Sequence, residues 1–255
     1  MYKMVLILIF TSVYYLLTAQ SIEVHYKSLS STNFDESAEF ILQSNLTHSI
    51  FYNKKILEDT YQSEEQDIHG LPEVVEFRFE RKENYILKSL RDNAITELVT
   101  DFNGNYLQIN DTITSLNWKL IDDERTILGA TCSKATTTFR GREYEVWYNK
   151  DIPVSNGPWK FDGLPGLIYL MQEKSIGLIG YEATRVKFKK DKTINVELPD
   201  IKPDKVINPE EYYDLFLSQL EEYYAFKEAQ LRKNGSNIRI SINRTGFQPV
   251  EIFNQ

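Results

Sequence analysis

The sequence is poor in the side chains that build disulfide frameworks and most metal sites. Its 255 residues include one cysteine, Cys132, and three histidines. A single thiol excludes a disulfide within the chain and any multi-thiolate zinc or iron–sulfur site. Three imidazoles leave little for a histidine-rich metal centre, so we expect neither a metal nor a cofactor.

Glycine and proline are also scarce, at 11 and 8 residues. Hydrophobic residues make up 42% of the chain and aromatic residues 13%, so collagen-like and disordered classes fit poorly. The length suits one large β-rich domain, which we place at residues 20–255.

Basic residues are fewer than acidic ones: the chain has 29 Lys and Arg and 37 Asp and Glu, which gives a formal net charge of −8. A nucleic-acid surface needs a dense field of basic side chains, so no nucleic-acid partner is expected. The sequence has one basic cluster. Such a cluster is typical either of a contact with an anionic lipid or glycan or, more often, of a sheet edge where lysines prevent another strand from pairing. Its members are Lys187, Lys189, Lys190 and Lys192.

One long apolar run is present, at the N-terminus. Lys3 precedes residues 4–17, MVLILIFTSVYYLL, and Ala19 follows at a small-residue exit. This layout predicts an export signal peptide at 1–19 that is removed after Ala19. The run is short for a hydrocarbon core of ~30 Å, so a retained anchor is the less favoured alternative. We expect an exported chain, periplasmic or secreted, with no transmembrane anchor after cleavage.

From residue 21 to about 189, apolar and polar residues alternate with the period of half-buried strands. Three of the segments are 22–27, 75–80 and 85–87, where Tyr85 and Leu87 form the apolar side. Asn103-Gly104 predicts a hairpin, and Arg140-Gly141 predicts a second one.

A helical pattern begins near residue 208. Asn208-Pro209-Glu210-Glu211 supplies a cap, a first-turn proline and two acids, so a helix is predicted over Pro209–Lys233. Alternation over Ile238–Ile242 predicts a final short strand. The predicted fold is mainly β (α+β): a large, curved antiparallel sheet or half-barrel with the long helix packed on it, lying across the open mouth.

Residues 149–166, NKDIPVSNGPWKFDGLPG, connect two predicted strands. Pro165-Gly166 predicts a type II turn with a positive φ at the glycine, and Gly163 predicts a close backbone approach. Residues 167–170 are nearly all apolar, as in a strand covered on both faces.

The hexapeptide at the end of this segment, Gly163, Leu164, Pro165, Gly166, Leu167 and Ile168, spells GLPGLI. Together with the preceding residues 139–161, it resembles the GLPGLI family of exported Gram-negative proteins. Because that family has no assigned activity, the resemblance implies export but no catalytic residue, cofactor or substrate.

Two interpretations of this segment remain open. It is either a binding surface or a packed Ω-like connection whose aromatic rings plug the end of the sheet. The composition favours packing. The residues of the binding surface would be Trp147, Asp151, Trp159, Lys160, Phe161 and Asp162.

Catalytic patterns are absent from the sequence. His25, His48 and His69 are the imidazoles that could serve a nucleophile, and no Gly-x-Ser-x-Gly or His-Glu-x-x-His motif accompanies them. Cys132 lies in a predicted strand, where a small buried hydrophobe is expected. The acid runs at 122–124 and 58–67 are typical of solvated loops. A hydrolase is therefore less favoured, and no catalytic residue is assigned.

The function that the sequence favours is an exported, non-enzymatic binding or accessory protein of the cell envelope with an unknown envelope partner. The alternative is a periplasmic carrier of a small apolar ligand held between sheet and helix. A carrier predicts an apolar pocket of roughly 300–1,000 Å³ at that place, and an accessory protein predicts that its own side chains fill the space.

Overall fold

The computed structural model describes residues 21–29, 39–53, 83–112, 115–175, 177, 179–189, 194 and 196–233. These residues form one large sheet and one helix, so the predicted mainly β fold with a helix near the C-terminus is confirmed. The predicted signal peptide at 1–19 and the strands predicted at 75–80 and Ile238–Ile242 lie outside the described residues.

The sheet has twelve strands. They are β1 Ser21–Ser28, β2 Glu39–Ser44, β3 His48–Asn53, β4 Tyr85–Ser89, β5 Ala94–Thr100, β6 Tyr106–Thr112, β7 Lys119–Ile127, β8 Ala130–Phe139, β9 Arg142–Asn149, β10 Leu167–Glu173, β11 Gly180–Lys189 and β12 Lys205–Ile207.

The strand order is β12-β6-β5-β4-β3-β2-β1-β11-β10-β9-β8-β7. Neighbouring strands pair antiparallel, as predicted, except that β12 pairs with β6 in parallel. This exception arises because the chain leaves β11 in the middle of the sheet and returns at its edge.

Both predicted hairpins are confirmed. Arg140 and Gly141 have φ values of 47° and 73° and join β8 to β9. At Asn103-Gly104 only the glycine has a positive φ, 79°, because the loop is longer. The Asp101 carboxylate holds it by accepting the N–H groups of Asn103 and Asn105. A third hairpin, at Leu128-Gly129, was not predicted from the sequence.

The sheet is strongly curved. Arg140 lies in the turn between β8 and β9, while Asp111 lies on β6 near the other end of the strand order. Even so, the Arg140 guanidinium is 2.7 Å from an Asp111 carboxylate oxygen. Contact between strands so far apart in the order requires the sheet to bend round until its two ends approach.

The helix, α1, spans Pro209–Lys233, the predicted bounds. Its first turn carries a capping box, in which Asn208 Oδ1 accepts the Glu211 N–H and Glu211 Oε2 accepts the Asn208 N–H. Tyr212 and Leu215 pack on a small cluster at the β5–β6–β12 edge, formed by Val99, Leu107, Ile109 and Ile207. The helix therefore covers this edge of the sheet rather than its open mouth.

The larger core lies on strands β1–β5 and β7–β11 and includes the segment between β9 and β10, residues 150–166, which we call the motif loop. Val24, Leu42, Val146 and Leu167 are each fully buried there. No helix among the described residues is long and apolar enough to cross a membrane.

Candidate functional site

The motif loop packs inside the curved sheet. The Trp159 and Phe161 side chains are buried, and the Phe161 ring centroid lies 4.8 Å from that of Tyr144. Trp159 meets Phe139 edge to face at 5.7 Å. These rings fill the interior that the sheet encloses.

The other residues predicted as a binding surface are spread over different surroundings. Trp147 and Lys160 are buried, Asp162 is half-buried and Asp151 is exposed. Trp147 lies on β9, where the Lys134 ammonium stands 5.3 Å from its ring centroid. None of the three predicted aromatic rings is presented to solvent, since Trp147, Trp159 and Phe161 are all at most 6% exposed.

Two glycines of the hexapeptide have exchanged their predicted roles. Gly166 does not have a positive φ, so the predicted type II turn is wrong. A side chain at Gly166 would place its Cβ 2.2 Å from the Asn149 carbonyl oxygen, so this glycine permits a close backbone approach. The positive φ, 84°, belongs to Gly163, which lies beside the Trp118 indole.

A buried lysine on β4 holds the middle of the motif loop. Lys88 is 0% exposed, and its Nζ donates to Asn156 Oδ1 at 2.6 Å, to the Gly157 carbonyl at 3.2 Å and to the Phe161 carbonyl at 3.0 Å. Burial lowers the pKa of Lys88 to about 8, against an opposing effect of the nearby Asp162 carboxylate. Burial likewise raises the pKa of Asp162.

Sequence reasoning missed Lys88 because it assigned β4 to the wrong face. Ile86 and Lys88 are the buried pair, while the predicted apolar residues Tyr85 and Leu87 are half-buried. The signal in the sequence that could have indicated this lysine is its spacing, since Lys88 lies two residues after the buried Ile86 and therefore on the same face of the strand.

A second buried lysine ties the motif loop to β5 and β6. Lys160 Nζ lies 2.7 Å from Glu97 Oε1 and 3.2 Å from Asp111 Oδ2. The other Asp111 oxygen accepts from Arg140. Asp111 thus joins the motif loop, β6 and the β8–β9 turn in one buried ionic network.

An open groove of about 680 Å³ lies beside this network, between the sheet and the start of α1. Its walls are polar: β6 contributes Asn110, Asp111 and Thr112, the hairpin contributes Arg140, and the helix contributes Glu210. The remaining lining residues are Ala94, Ile95, Thr96, Asn208 and Pro209. At this helix end the capping box uses the main-chain N–H groups of Asn208 and Glu211.

His25 is held within an ionic cluster on the other face of the sheet. Its two ring nitrogens contact the carboxylates of Glu23 and Glu39, and Lys187 and Lys189 also reach Glu23. Burial opposes ionisation of Glu23, but the hydrogen bonds from Lys189, His25 and Lys187 outweigh it and hold the pKa of Glu23 well below its usual range. The polar side of β1 is therefore buried, not wet as the alternation predicts.

Cys132 is fully buried, and burial raises the pKa of its thiol to about 11. Within the described ranges, no group of three or more His, Cys, Asp or Glu side chains is placed to hold a metal ion. His69 and the acid run at 58–67 are outside those ranges.

Comparison with known proteins gives a family match and a fold match. Residues 137–170 match the family described as "Protein of unknown function (Porph_ging)". The matched stretch contains the β8–β9 turn, the motif loop and the GLPGLI hexapeptide, but the match does not carry the GLPGLI name. No curated protein matches the chain.

Two solved structures are similar in fold, "Structure of PNGF-II in P21 space group" with a TM-score of 0.52 and "Structure of PNGF-II in C2 space group" with a TM-score of 0.50. Each is 20% identical over 78% of this chain and 33% of that chain, so this protein spans about a third of the length of the structures it matches. At this identity the likeness shows a shared fold and nothing of function.

Proposed function

We propose that this protein is an exported, non-enzymatic binding or accessory protein of the cell envelope and that the polar groove is its binding surface. The proposal rests on a division between buried ionisable or nucleophilic side chains and a groove that is open to solvent. Lys88, Lys160, His25 and Cys132 are buried at 3% exposure or less, whereas the groove opens to solvent. His48 is half-buried, and its Nδ1 lies 2.9 Å from the Thr47 hydroxyl.

This division matters because a catalytic base or nucleophile must reach its substrate. Lys88 donates to three oxygens of the motif loop, and Lys160 is shared between two carboxylates. The groove instead presents amide, hydroxyl, carboxylate and guanidinium groups, which suit recognition by hydrogen bonds.

The carrier alternative is less well supported. Beyond its first residues, α1 packs on the sheet through Tyr212 and Leu215, which contact apolar strand residues. The groove has the volume of a ligand site, but slightly more than half of its lining surface is polar, whereas a pocket for an apolar ligand is lined mainly by hydrophobic side chains.

Export rests on the pattern at residues 1–19 and has a direct test. We expect the protein purified from its natural source to begin at Gln20 and to be recovered outside the cytosol. A product that begins at Met1 and fractionates with cytosolic proteins would overturn this half of the proposal.

The binding role is tested by a matched pair of substitutions. Thr112→Arg places a long side chain in the groove, and Thr126→Arg places the same side chain on the exposed strand β7. After mild cross-linking and native purification from the envelope, we expect mass spectrometry to find a partner with the unaltered protein and with Thr126→Arg. The partner should be lost with Thr112→Arg. Equal recovery from both variants would rule out the groove as the binding surface.

A further inference from the structure

Strand β6 extends beyond its outer neighbour. β6 runs from Tyr106 to Thr112, whereas β12 pairs only with Leu107–Ile109. The last three residues of β6, Asn110–Thr112, therefore lie beyond the end of β12, and all three line the groove. No other described strand pairs with this part of β6 on the side of β12, so among the described strands it is a sheet edge.

Alternate main-chain groups of β6 face the side on which β12 pairs. The Tyr106 N–H donates to Asp204 Oδ2 and the Tyr106 carbonyl accepts the Asp204 N–H, so both groups face the β12 side. Main-chain direction repeats every second residue along a strand, and Asn110 and Thr112 therefore face the same way. In the parallel register the Asn110 N–H pairs with Ile207, so the edge beyond β12 consists of the Asn110 carbonyl and the main-chain groups of Thr112.

A proline ends β12 after Ile207. In the parallel register Ile207 lies opposite Ile109, and the residue two positions further along is Pro209, which has no N–H to donate to β6. The chain turns into α1 there, and the groove occupies the space in which a continuing strand would lie.

The two edges of the sheet differ in their protection. On the β7 edge, Asp122, Asp123 and Glu124 are exposed and the register shifts between Ile121 and Glu124, both of which discourage strand addition. On the β6 edge, the exposed side chains are Asn110 and Thr112, which are neutral. Negative charge comes from across the groove, where Glu210 is exposed and forms no ion pair with any described residue.

We propose that the groove binds a short extended peptide segment of a partner protein, which pairs with Asn110–Thr112 in line with β12 and places a basic side chain against Glu210. This inference rests on the proposed function and names the class of partner. Pairing of main-chain groups with a sheet edge supplies affinity in such complexes, and alternate side chains supply selectivity. The overall charge of −8 also favours a basic segment.

The probe is a library of capped hexapeptides with lysine, glutamate or alanine fixed at each position in turn, measured by fluorescence polarisation against the purified mature chain. We expect binding that favours lysine over glutamate at one position. Glu210→Lys should weaken the selected peptide by roughly tenfold or more and remove the lysine preference. Glu222→Lys, a matched change at an exposed position of the same helix, should change binding by less than about twofold.

Strand pairing has a signature of its own in the peptide. N-methylation of alternate amides blocks one edge of an extended segment, so one methylation pattern should abolish binding and the complementary pattern should leave it within about threefold. Equal tolerance of both patterns would overturn the inference. So would full binding by Glu210→Lys, or a library in which no peptide binds.

The two proposals fail separately. If Thr112→Arg loses an envelope partner but no hexapeptide binds, the inference is wrong and the proposed function stands. If peptides bind as expected but no partner is recovered from the envelope and the chain begins at Met1, the proposed cellular role is wrong and the peptide site stands.

Discussion

Two lysines inside the same curved sheet solve the problem of a buried charge in different ways. Lys88 is surrounded by neutral oxygens of the motif loop, whereas Lys160 is neutralised by Glu97 and Asp111. An unpaired ammonium would be costly to bury. The motif loop therefore keeps its shape because both charges are satisfied, and its aromatic rings are positioned as a consequence.

Replacement of Lys88 by methionine tests this reasoning. Lys88→Met keeps most of the volume but leaves the oxygens of Asn156, Gly157 and Phe161 without their donor. We expect the free energy of unfolding at pH 7, measured by urea denaturation, to fall by at least about 2 kcal/mol. Lys27→Met, at an exposed ion pair with Glu182, should cost less than about 1 kcal/mol. Equal losses would show that Lys88 has no special structural role.

The pH dependence of the same pair of proteins gives a second test. The pKa of Lys88 is lowered from 10.5 to about 8, so between these values the folded chain binds fewer protons than the unfolded chain. Stability contributed at this position therefore rises with pH over that window. We expect the difference in unfolding free energy between the unaltered protein and Lys88→Met to grow by about 2 kcal/mol from pH 8 to pH 10. A difference that shrinks would contradict the lowered pKa.

The thiol of Cys132 is expected to be inert in the folded protein. It is fully buried, so a reagent cannot reach the sulfur, and its pKa is raised to about 11, so the thiol is protonated at pH 8. A thiol reagent should react only after denaturant is added. In a Cys132→Ala background, Leu120→Cys, at a position 60% exposed, should react at once. Rapid reaction of the native Cys132 thiol would place it among candidate functional groups.

At the scale of elements, glycine positions decide how the motif loop joins β9 to β10. Gly166 lies against the Asn149 carbonyl, at the point where the two strands begin to pair. Backbone atoms cannot turn away as a flexible side chain can. The glycine is therefore required by contact between two main chains and not by the turn that follows proline.

Gly166→Ala should accordingly be far more damaging than an ordinary glycine replacement. Its Cβ would meet the Asn149 oxygen at 2.2 Å, so the junction must shift, and we expect a loss of about 3 kcal/mol or more in unfolding free energy. Gly104→Ala is the control, because it has open space around it and incurs only the strain of a positive φ, about 1 kcal/mol. Similar thermal and urea midpoints for the two variants would refute the close-contact explanation.

Local chemistry made some elements predictable and long-range packing hid others. Asn208 and Pro209 predict the start of α1, and Arg140-Gly141 predicts a hairpin. Each prediction depends only on residues within or next to the element itself. The parallel return of β12 and the burial of Lys88 depend on residues distant in sequence. The groove combines both kinds, since its residues come from β5, β6, a hairpin turn and a helix start.

For the whole molecule, the most informative contact joins two regions that lie near opposite ends of the strand order. Asp111 on β6 receives Arg140 from the β8–β9 turn and Lys160 from the motif loop, and its side chain is only 5% exposed. A carboxylate shared by two cations from separate elements links the curvature of the sheet to the position of the loop. The same residue lines the groove, so the proposed binding surface depends on this contact across the curved sheet.

Asp111→Asn tests whether this contact is a global one. The substitution removes the charge but keeps the shape, so Arg140 and Lys160 each lose their ion pair with residue 111. We expect a loss of about 3 kcal/mol in unfolding free energy. Asp123→Asn, at an exposed and distant ion pair with Lys134, should cost less than about 0.5 kcal/mol.

Hydrogen exchange then distinguishes closure of the sheet from a local role. If Asp111 holds the two ends of the sheet together, Asp111→Asn should increase amide exchange in β6 and also in the β8–β9 turn and the motif loop, which are remote from residue 111 in sequence. If the contact serves β6 alone, exchange should rise only in β5 and β6. The second result would mean that the curvature is set by strand twist and core packing, and the groove should then keep its shape in the variant.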